Sequence, residues 1–174
     1  PGTCTSLFIY GKSGLGKTHL LLAIKNYLNE HSPHLRVKYA NSQTYVEDYI
    51  SELAISKNRA GIILREYHDA DVLIIDDPYK DPKDAWSPTV RRSIQDWYDT
   101  VATTRLHNDS RQLITLTRWH QDDLAGVLLK REPEEWEVIK FPAIKEGDPT
   151  ELDPRNDGEA LWPERHSLEP VSYT

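Results

Sequence analysis

The chain has 174 residues, a net charge of −7 and 28% charged side chains. That length suits one domain with a substantial core. No stretch approaches the roughly 20 apolar residues that cross a bilayer, and no secretory signal opens the sequence. The acidic excess gathers after residue 77, where 13 basic side chains face 19 acidic ones. This argues against a general nucleic-acid binder, because phosphate contacts supply most non-specific affinity. Lys12, Lys17, Lys25, Arg36 and Lys38 leave the N-terminal part candidates for a local basic patch. A single cysteine, Cys4, excludes an internal disulfide and fits a reducing, cytoplasmic setting. The sequence holds no methionine, even at position 1, so a fragment or a processed product is expected.

The first predicted strand, 6–10, runs straight into Gly11-Lys12-Ser13-Gly14-Leu15-Gly16-Lys17-Thr18, a complete G-x-x-x-x-G-K-[ST] loop. A helix over about 17–30 follows, and this strand–loop–helix context separates a phosphate-binding loop from a chance glycine-rich turn. Its glycines free the backbone to aim N–H groups at phosphate oxygens, and the helix start adds its positive dipole end. Lys17 is expected on the β- and γ-phosphates, and the Thr18 hydroxyl on a Mg²⁺ ion. The ligand class is a nucleoside triphosphate.

A second strand is predicted over 36–40, with Asn41 or Ser42 as the N-cap of a helix whose apolar positions are Tyr45, Tyr49, Ile50 and Leu53. A short helix over 59–67 precedes the apolar run Val72-Leu73-Ile74-Ile75. That run ends in Asp76-Asp77, the strand-then-acid pattern of a Walker-B segment. Asp76 is expected to hold Mg²⁺ through its water shell, and Asp77 to polarise the attacking water as a general base. The interval from Thr18 leaves room for a further strand and its helices, so both segments can lie in one sheet.

Ser87-Pro88 reads as an N-cap followed by proline at the first helical position. Val90, Ile94, Trp97 and Val101 form one apolar stripe down that helix. The fourth strand, 113–117, ends at Thr117-Arg118-Trp119-His120. Thr117 is the candidate γ-phosphate sensor, since ligands bind at the carboxyl ends of strands in open α/β sheets. Arg118 is a candidate for phosphate or for a neighbouring subunit, and a structural role stands beside the functional one for both residues. Trp119 reads as packing and His120 as a cap or surface residue. A helix over 122–130 and a fifth strand over 136–141, halted by Pro142, complete a three-layer α/β fold with a mainly parallel sheet. Residues 1–144 form the expected domain. Residues 145–174 form an irregular tail that packs through Leu161 and Trp162, with a disordered acidic tail as the alternative. The seven histidines are scattered and offer no metal-ligand spacing.

Two family likenesses follow from these stretches. LFIYGKSGLGKTHLLLAIKN (7–26), RVKYANSQTYVEDYI (36–50) and ADVLIIDD (70–77) resemble the ATPase domain of DnaA, the bacterial replication initiator of the AAA+ class. IIDDPYKD (74–81), IQDWYDT (94–100), LTRWHQDDLAG (116–126) and ALWPERHSLE (160–169) resemble the large subunit of a tailed-phage terminase, a DNA-packaging motor. The two likenesses meet where both families carry an apolar strand and two aspartates, which implies a chimera joined between Val72 and Pro78. They further imply the additional-strand P-loop class, in which the sensor strand lies between the P-loop and Walker-B strands. ATP as the nucleotide, a bacterial or phage-infected cell, a homo-oligomer and DNA as a partner are implied by the likenesses alone. An arginine finger, with Arg91, Arg92, Arg105 and Arg118 as candidates, would act in trans.

The expected activity is Mg-dependent ATP hydrolysis, slow in isolation. A nucleotide-switched assembly module, in which binding orders the 78–86 and 118–123 loops, is the alternative. So is a folded chimera that binds ATP without useful catalysis.

Overall fold

In the computed structural model, residues 6–42, 70–103, 106, 109–140, 142–161 and 163 are described. The helices expected around 45–53 and 59–67 lie outside them, as do Cys4, Arg105, Phe141 and Trp162. Five strands form one sheet among the described residues: β1 (Ser6–Tyr10), β2 (Val37–Asn41), β3 (Val72–Asp76), β4 (Arg111–Leu116) and β5 (Trp136–Lys140). Their spatial order is β2-β3-β4-β1-β5, and every pairing is parallel. The sensor strand β4 therefore sits between the P-loop strand β1 and the Walker-B strand β3, as the additional-strand class requires.

Alternation along the strands divides the core into two layers. Phe8, Leu73, Ile75, Ile114 and Leu116 face one way. Against them pack α3 (Pro88–Trp97), through Ile94 and Trp97, and α4 (Leu124–Arg131), through Leu124 and Leu128. Ile9, Val72, Ile74 and Leu113 face the other way, under Leu21 of α1 (Lys17–His31). β3 is buried at all five positions because both of its faces are covered. Trp136 closes the first layer against Phe8, with ring centroids 4.1 Å apart. No helix among the described residues is long and apolar enough to cross a membrane.

Two helix starts obey local chemistry. Ser87 accepts from the Val90 N–H at 3.4 Å with Pro88 at the first position, as the sequence predicts. The same device recurs one turn earlier: Asp81 accepts from the Lys83 and Asp84 N–H groups, and Pro82 opens the short helix α2 (Pro82–Trp86). The segment 78–86, expected as a loop awaiting nucleotide, thus already holds a capped helix. α4 begins two residues later than predicted, because Asp123 rather than a preceding residue is its N-cap, accepting from the Gly126 N–H at 2.9 Å.

Past β5 the chain is irregular, as expected, but closely tied. Ile144 and Ala160 form an isolated antiparallel bridge. The Arg155 guanidinium grips both oxygens of Asp153 at 2.8 Å, and Lys145 lies 3.6 Å from the same carboxylate. Arg155 also donates to the Pro142 and Glu159 carbonyls. Over 142–161 the disordered-tail alternative therefore fails, since a nearly buried carboxylate with two cationic partners organises the segment.

Candidate functional site: the strand ends around the P-loop

Gly14 and Gly16 carry φ of 82° and 80°, the left-handed region that glycine adopts without penalty. A Cβ at either would meet nothing within 4 Å, so the demand is conformational and not spatial. Gly11 shows no such φ and contributes its carbonyl instead. Gly16 leads into α1 without a side-chain cap, which leaves the first amides of the helix aimed outward as an anion site. Lys12, Ser13 and Thr18 are exposed, and Leu15 is half-buried.

Lys17 is buried at the start of α1. Its ammonium donates to the Gly11 and Lys12 carbonyls, each at 3.2 Å, and to the Thr117 hydroxyl at 3.0 Å. The lysine and the sensor candidate, a hundred residues apart in sequence, thus share a hydrogen bond. Their meeting is a product of the strand order, which makes β1 and β4 neighbours.

Asp76 ends β3, opposite Thr115 of β4 and Asn41 of β2 in the register. One carboxylate oxygen accepts from the Thr115 hydroxyl at 2.8 Å, and the other from the Tyr39 hydroxyl at 2.6 Å. Each oxygen keeps lone-pair capacity for a further donor or a metal-bound water. Burial pushes the Tyr39 phenol up, and its hydrogen bond to Asp76 adds to the shift, so it stays a neutral donor. Lys25 of α1 lies 5.5 Å from the Tyr39 ring centroid.

Asp77 departs from the strand with φ 40°, a left-handed conformation that aspartate tolerates better than most residues. Its N–H donates to the Thr115 carbonyl at 2.9 Å, and its carboxylate accepts from the Thr117 N–H at 2.9 Å. Burial pushes the Asp77 carboxyl above the ordinary range; Lys17 and the Thr117 amide pull it back, while Asp76 pushes the same way as burial. Lys17, Thr117 and Asp77 therefore form one connected set, with Asp76 one residue away and Thr18 next to Lys17.

Arg118 is engaged differently from its neighbour. Its Nε donates to Asp123 at 2.8 Å, and its guanidinium lies 5.8 Å from the Tyr10 ring centroid. Asp123 is fully buried and caps α4 with its second oxygen, and the Tyr79 hydroxyl accepts from the Leu124 N–H at 2.9 Å. His120 accepts from the Asp122 N–H, a cap as expected, and Trp119 packs at the edge of the core. The 118–123 loop, expected to await nucleotide, is thus built already. Of the other finger candidates, Arg91 donates to the Ala85 carbonyl at 2.7 Å, while Arg92 is exposed on α3.

Sequence reasoning missed Tyr39, Thr115 and Asp123. Thr115 carried a signal, since it lies two residues before Thr117 and so on the same strand face. Tyr39 carried none, because only the register of β2 against β3 brings it to Asp76. Among the described residues no three His, Cys, Asp or Glu converge on a metal position. A cation here would share its shell with phosphate oxygens, which suits the hard hydroxyl and carboxylate donors of Thr18 and Asp76.

The sequence profile of the family "Bacterial DnaA ATPase domain" matches residues 2–118. That match crosses the Val72–Pro78 segment where the two likenesses meet. The chromosomal replication initiator protein DnaA of Clavibacter sepedonicus is 48% identical over 71 residues, which is 41% of this chain and 14% of that protein. The chain thus spans only a small part of the curated relatives it matches. The structure of AMPPCP-bound DnaA from Aquifex aeolicus aligns with a TM-score of 0.54 at 21% identity, over 79% of this chain and 40% of that one. A replication initiator DnaA bound to AMPPCP and single-stranded DNA aligns with a TM-score of 0.56 at 20% identity, over 88% of this chain and 43% of that one. At these identities the structures establish the shared fold. The terminase likeness of residues 72–166 rests on the quoted residues and is supported by none of these matches.

Proposed function

This chain belongs to the bacterial DnaA ATPase-domain family, and from that premise we propose that it binds Mg-ATP and hydrolyses it slowly when isolated. The observation that carries the reading is the set Lys17–Thr117–Asp77, which joins the P-loop, the sensor strand and the Walker-B end through hydrogen bonds of 3.0 and 2.9 Å. Lys17 and the loop amides from Gly11 to Thr18 hold the phosphates. Before nucleotide arrives, the ammonium is satisfied by two carbonyls and the Thr117 hydroxyl, a placement that keeps it beside the loop. Thr117 then reads the γ-phosphate through the same hydroxyl. Thr18 and Asp76 hold the magnesium ion, which supplies neutralisation of charge on the β- and γ-phosphates. Asp77, with one oxygen fixed by the Thr117 amide, keeps the other for the attacking water, and its upward-shifted carboxyl suits a general base. The AMPPCP in two similar DnaA structures supports ATP as the nucleotide.

Slow turnover follows if an arginine from a second subunit is needed, a contribution of roughly 10³–10⁵ in rate where it operates; the exposed Arg92 is the candidate among the described residues. A role in replication initiation, DNA as a partner, a homo-oligomeric state and a cytoplasmic setting belong to this proposal through the family. The contacts between Lys17 of the initiator-like half and Thr117 of the terminase-like half count against a chimera with misplaced groups. They also favour one form of the switch reading: nucleotide that draws Lys17 from Thr117 acts on the residue beside Arg118 and the α4 cap.

The test measures Mg-ATP binding and phosphate release, with and without duplex DNA, in the chain and in Lys17→Ala. Loss of charge-assisted phosphate contacts should weaken binding about 10- to 100-fold. Unchanged affinity in Lys17→Ala would refute the site. DNA-stimulated turnover would favour a motor over a switch.

A further inference from the structure

A small cavity of about 210 Å³ opens beside the P-loop. Ile9, Tyr10, Leu15 and Leu20 line it together with the backbone of Gly11 and Gly16, Lys17 and one distant residue, Leu161. Leu161 arrives from the segment after β5, and its position is fixed by several contacts. Its own N–H donates to the Ala143 carbonyl at 2.7 Å, and the Ile144–Ala160 bridge lies directly before it. The Lys145 N–H donates to the Glu159 carbonyl at 2.8 Å. Arg155 holds Asp153 with two bonds of 2.8 Å and reaches the Pro142 and Glu159 carbonyls at 3.0 and 3.1 Å. The ion centre thus clasps both sides of the hairpin-like segment that ends at Leu161.

We propose that residues 142–161 are a strap whose Leu161 side chain forms the outer wall of a niche for the base of a nucleoside triphosphate. The inference rests on the triphosphate reading above and adds the residue that meets the other end of the ligand. Gly16 and Lys17 belong both to the phosphate loop and to the cavity wall, so phosphates on the loop leave the base beside the cavity. The cavity is smaller than the roughly 300–1,000 Å³ of sites that enclose a whole ligand, so it suits one end of it. Its aliphatic walls match the π-face of a purine ring. Such walls supply affinity but discriminate weakly between bases, because an apolar surface leaves no wrong partner unpaired. The Asp153 centre touches no part of the cavity lining and acts by holding Leu161 in place, which makes it a positioning element.

Binding of Mg-ATP, Mg-GTP and Mg-tripolyphosphate should be compared by calorimetry in the chain, in Leu161→Ala and in Asp153→Asn. Leu161 is half-buried, so its truncation should weaken ATP and GTP alike by about three- to tenfold, with tripolyphosphate affinity unchanged. Asp153→Asn should shift the same two ligands in the same direction. Tripolyphosphate has no base, so its undiminished binding certifies that a variant keeps its fold and its P-loop. Equal weakening of all three ligands in Leu161→Ala, or weakening of none, would overturn the strap. Failure of the unsubstituted chain to bind even tripolyphosphate would remove the phosphate site, and the niche with it.

Discussion

Asp77→Asn separates chemistry from architecture in a single atom. Asparagine accepts the left-handed backbone at φ 40° as readily as aspartate. Its amide oxygen can still accept from the Thr117 N–H at 2.9 Å, and the bond from the residue's own N–H to the Thr115 carbonyl is untouched. Only the negative charge disappears. If Asp77 is the general base, phosphate release should fall by about 10²–10⁴, while Mg-ATP affinity should hold, because no phosphate contact has been removed. Stability should move the other way. Burial raises the Asp77 carboxyl above its ordinary value despite Lys17. A raised acid contributes stability below its unfolded value and loses that contribution as pH rises through the folded value. At neutral pH the charged carboxylate is therefore a net cost to the folded state. Asp77→Asn should melt higher than the parent at neutral pH, and the difference should shrink as the pH falls below the ordinary carboxylate range. Thermal unfolding across that range, paired with phosphate release, is the assay. A variant that turns over normally, or melts lower than the parent at neutral pH, would refute the reasoning.

Asp123 is fully buried, caps α4 and pairs with a guanidinium that is 28% exposed. Asp123→Ala should cost about 2–4 kcal/mol, a cap plus a partly solvated ion pair, and lower the melting temperature by roughly 5–15 °C. Asp123→Asn, which keeps the capping oxygen, should cost about half as much; equal losses in the two variants would contradict the capping role. Tyr39→Phe removes one of the two hydroxyl donors to Asp76. It should cost about 1–2 kcal/mol in denaturant unfolding and raise the magnesium needed for half-maximal ATP binding about tenfold. An unaltered magnesium dependence would show that the tyrosine supports the fold alone.

The parts legible in the sequence are those written in consecutive residues. The P-loop, the five strands and the Ser87-Pro88 helix start all declare themselves within a few positions. The order of the sheet became legible only through the family likeness, since nothing local in Leu113–Leu116 says that β4 inserts between β1 and β3. The α2 helix repeats the cap-then-proline signal at Asp81-Pro82, yet five residues are too few for a periodic stripe to form. Tyr39, Thr115 and Asp153 were invisible as a class. Each matters through a partner on another segment, and the register or fold that brings it there has no trace in its own neighbourhood. Arg118 shows the same limit in reverse: a charged residue beside a sensor suggests phosphate, but a buried aspartate five positions on claims it.

The placement of β4 also constrains how the chain comes to be folded. β1 and β3, both made early in synthesis, are not hydrogen-bonded neighbours, so of the first three strands only β2 and β3 can pair with each other. Lys17 waits without Thr117, and Asp76 without Thr115, until residues 111–117 have been made. Closure of the sheet is then a late, long-range event of the kind that slows folding, and the nucleotide site is completed in the same step. Neither half can be exchanged as a module with a finished sheet of its own. Any recombination near Val72–Pro78 has to preserve the Asp76–Thr115 register, or phosphate loop and acids end up in a protein that never joins them.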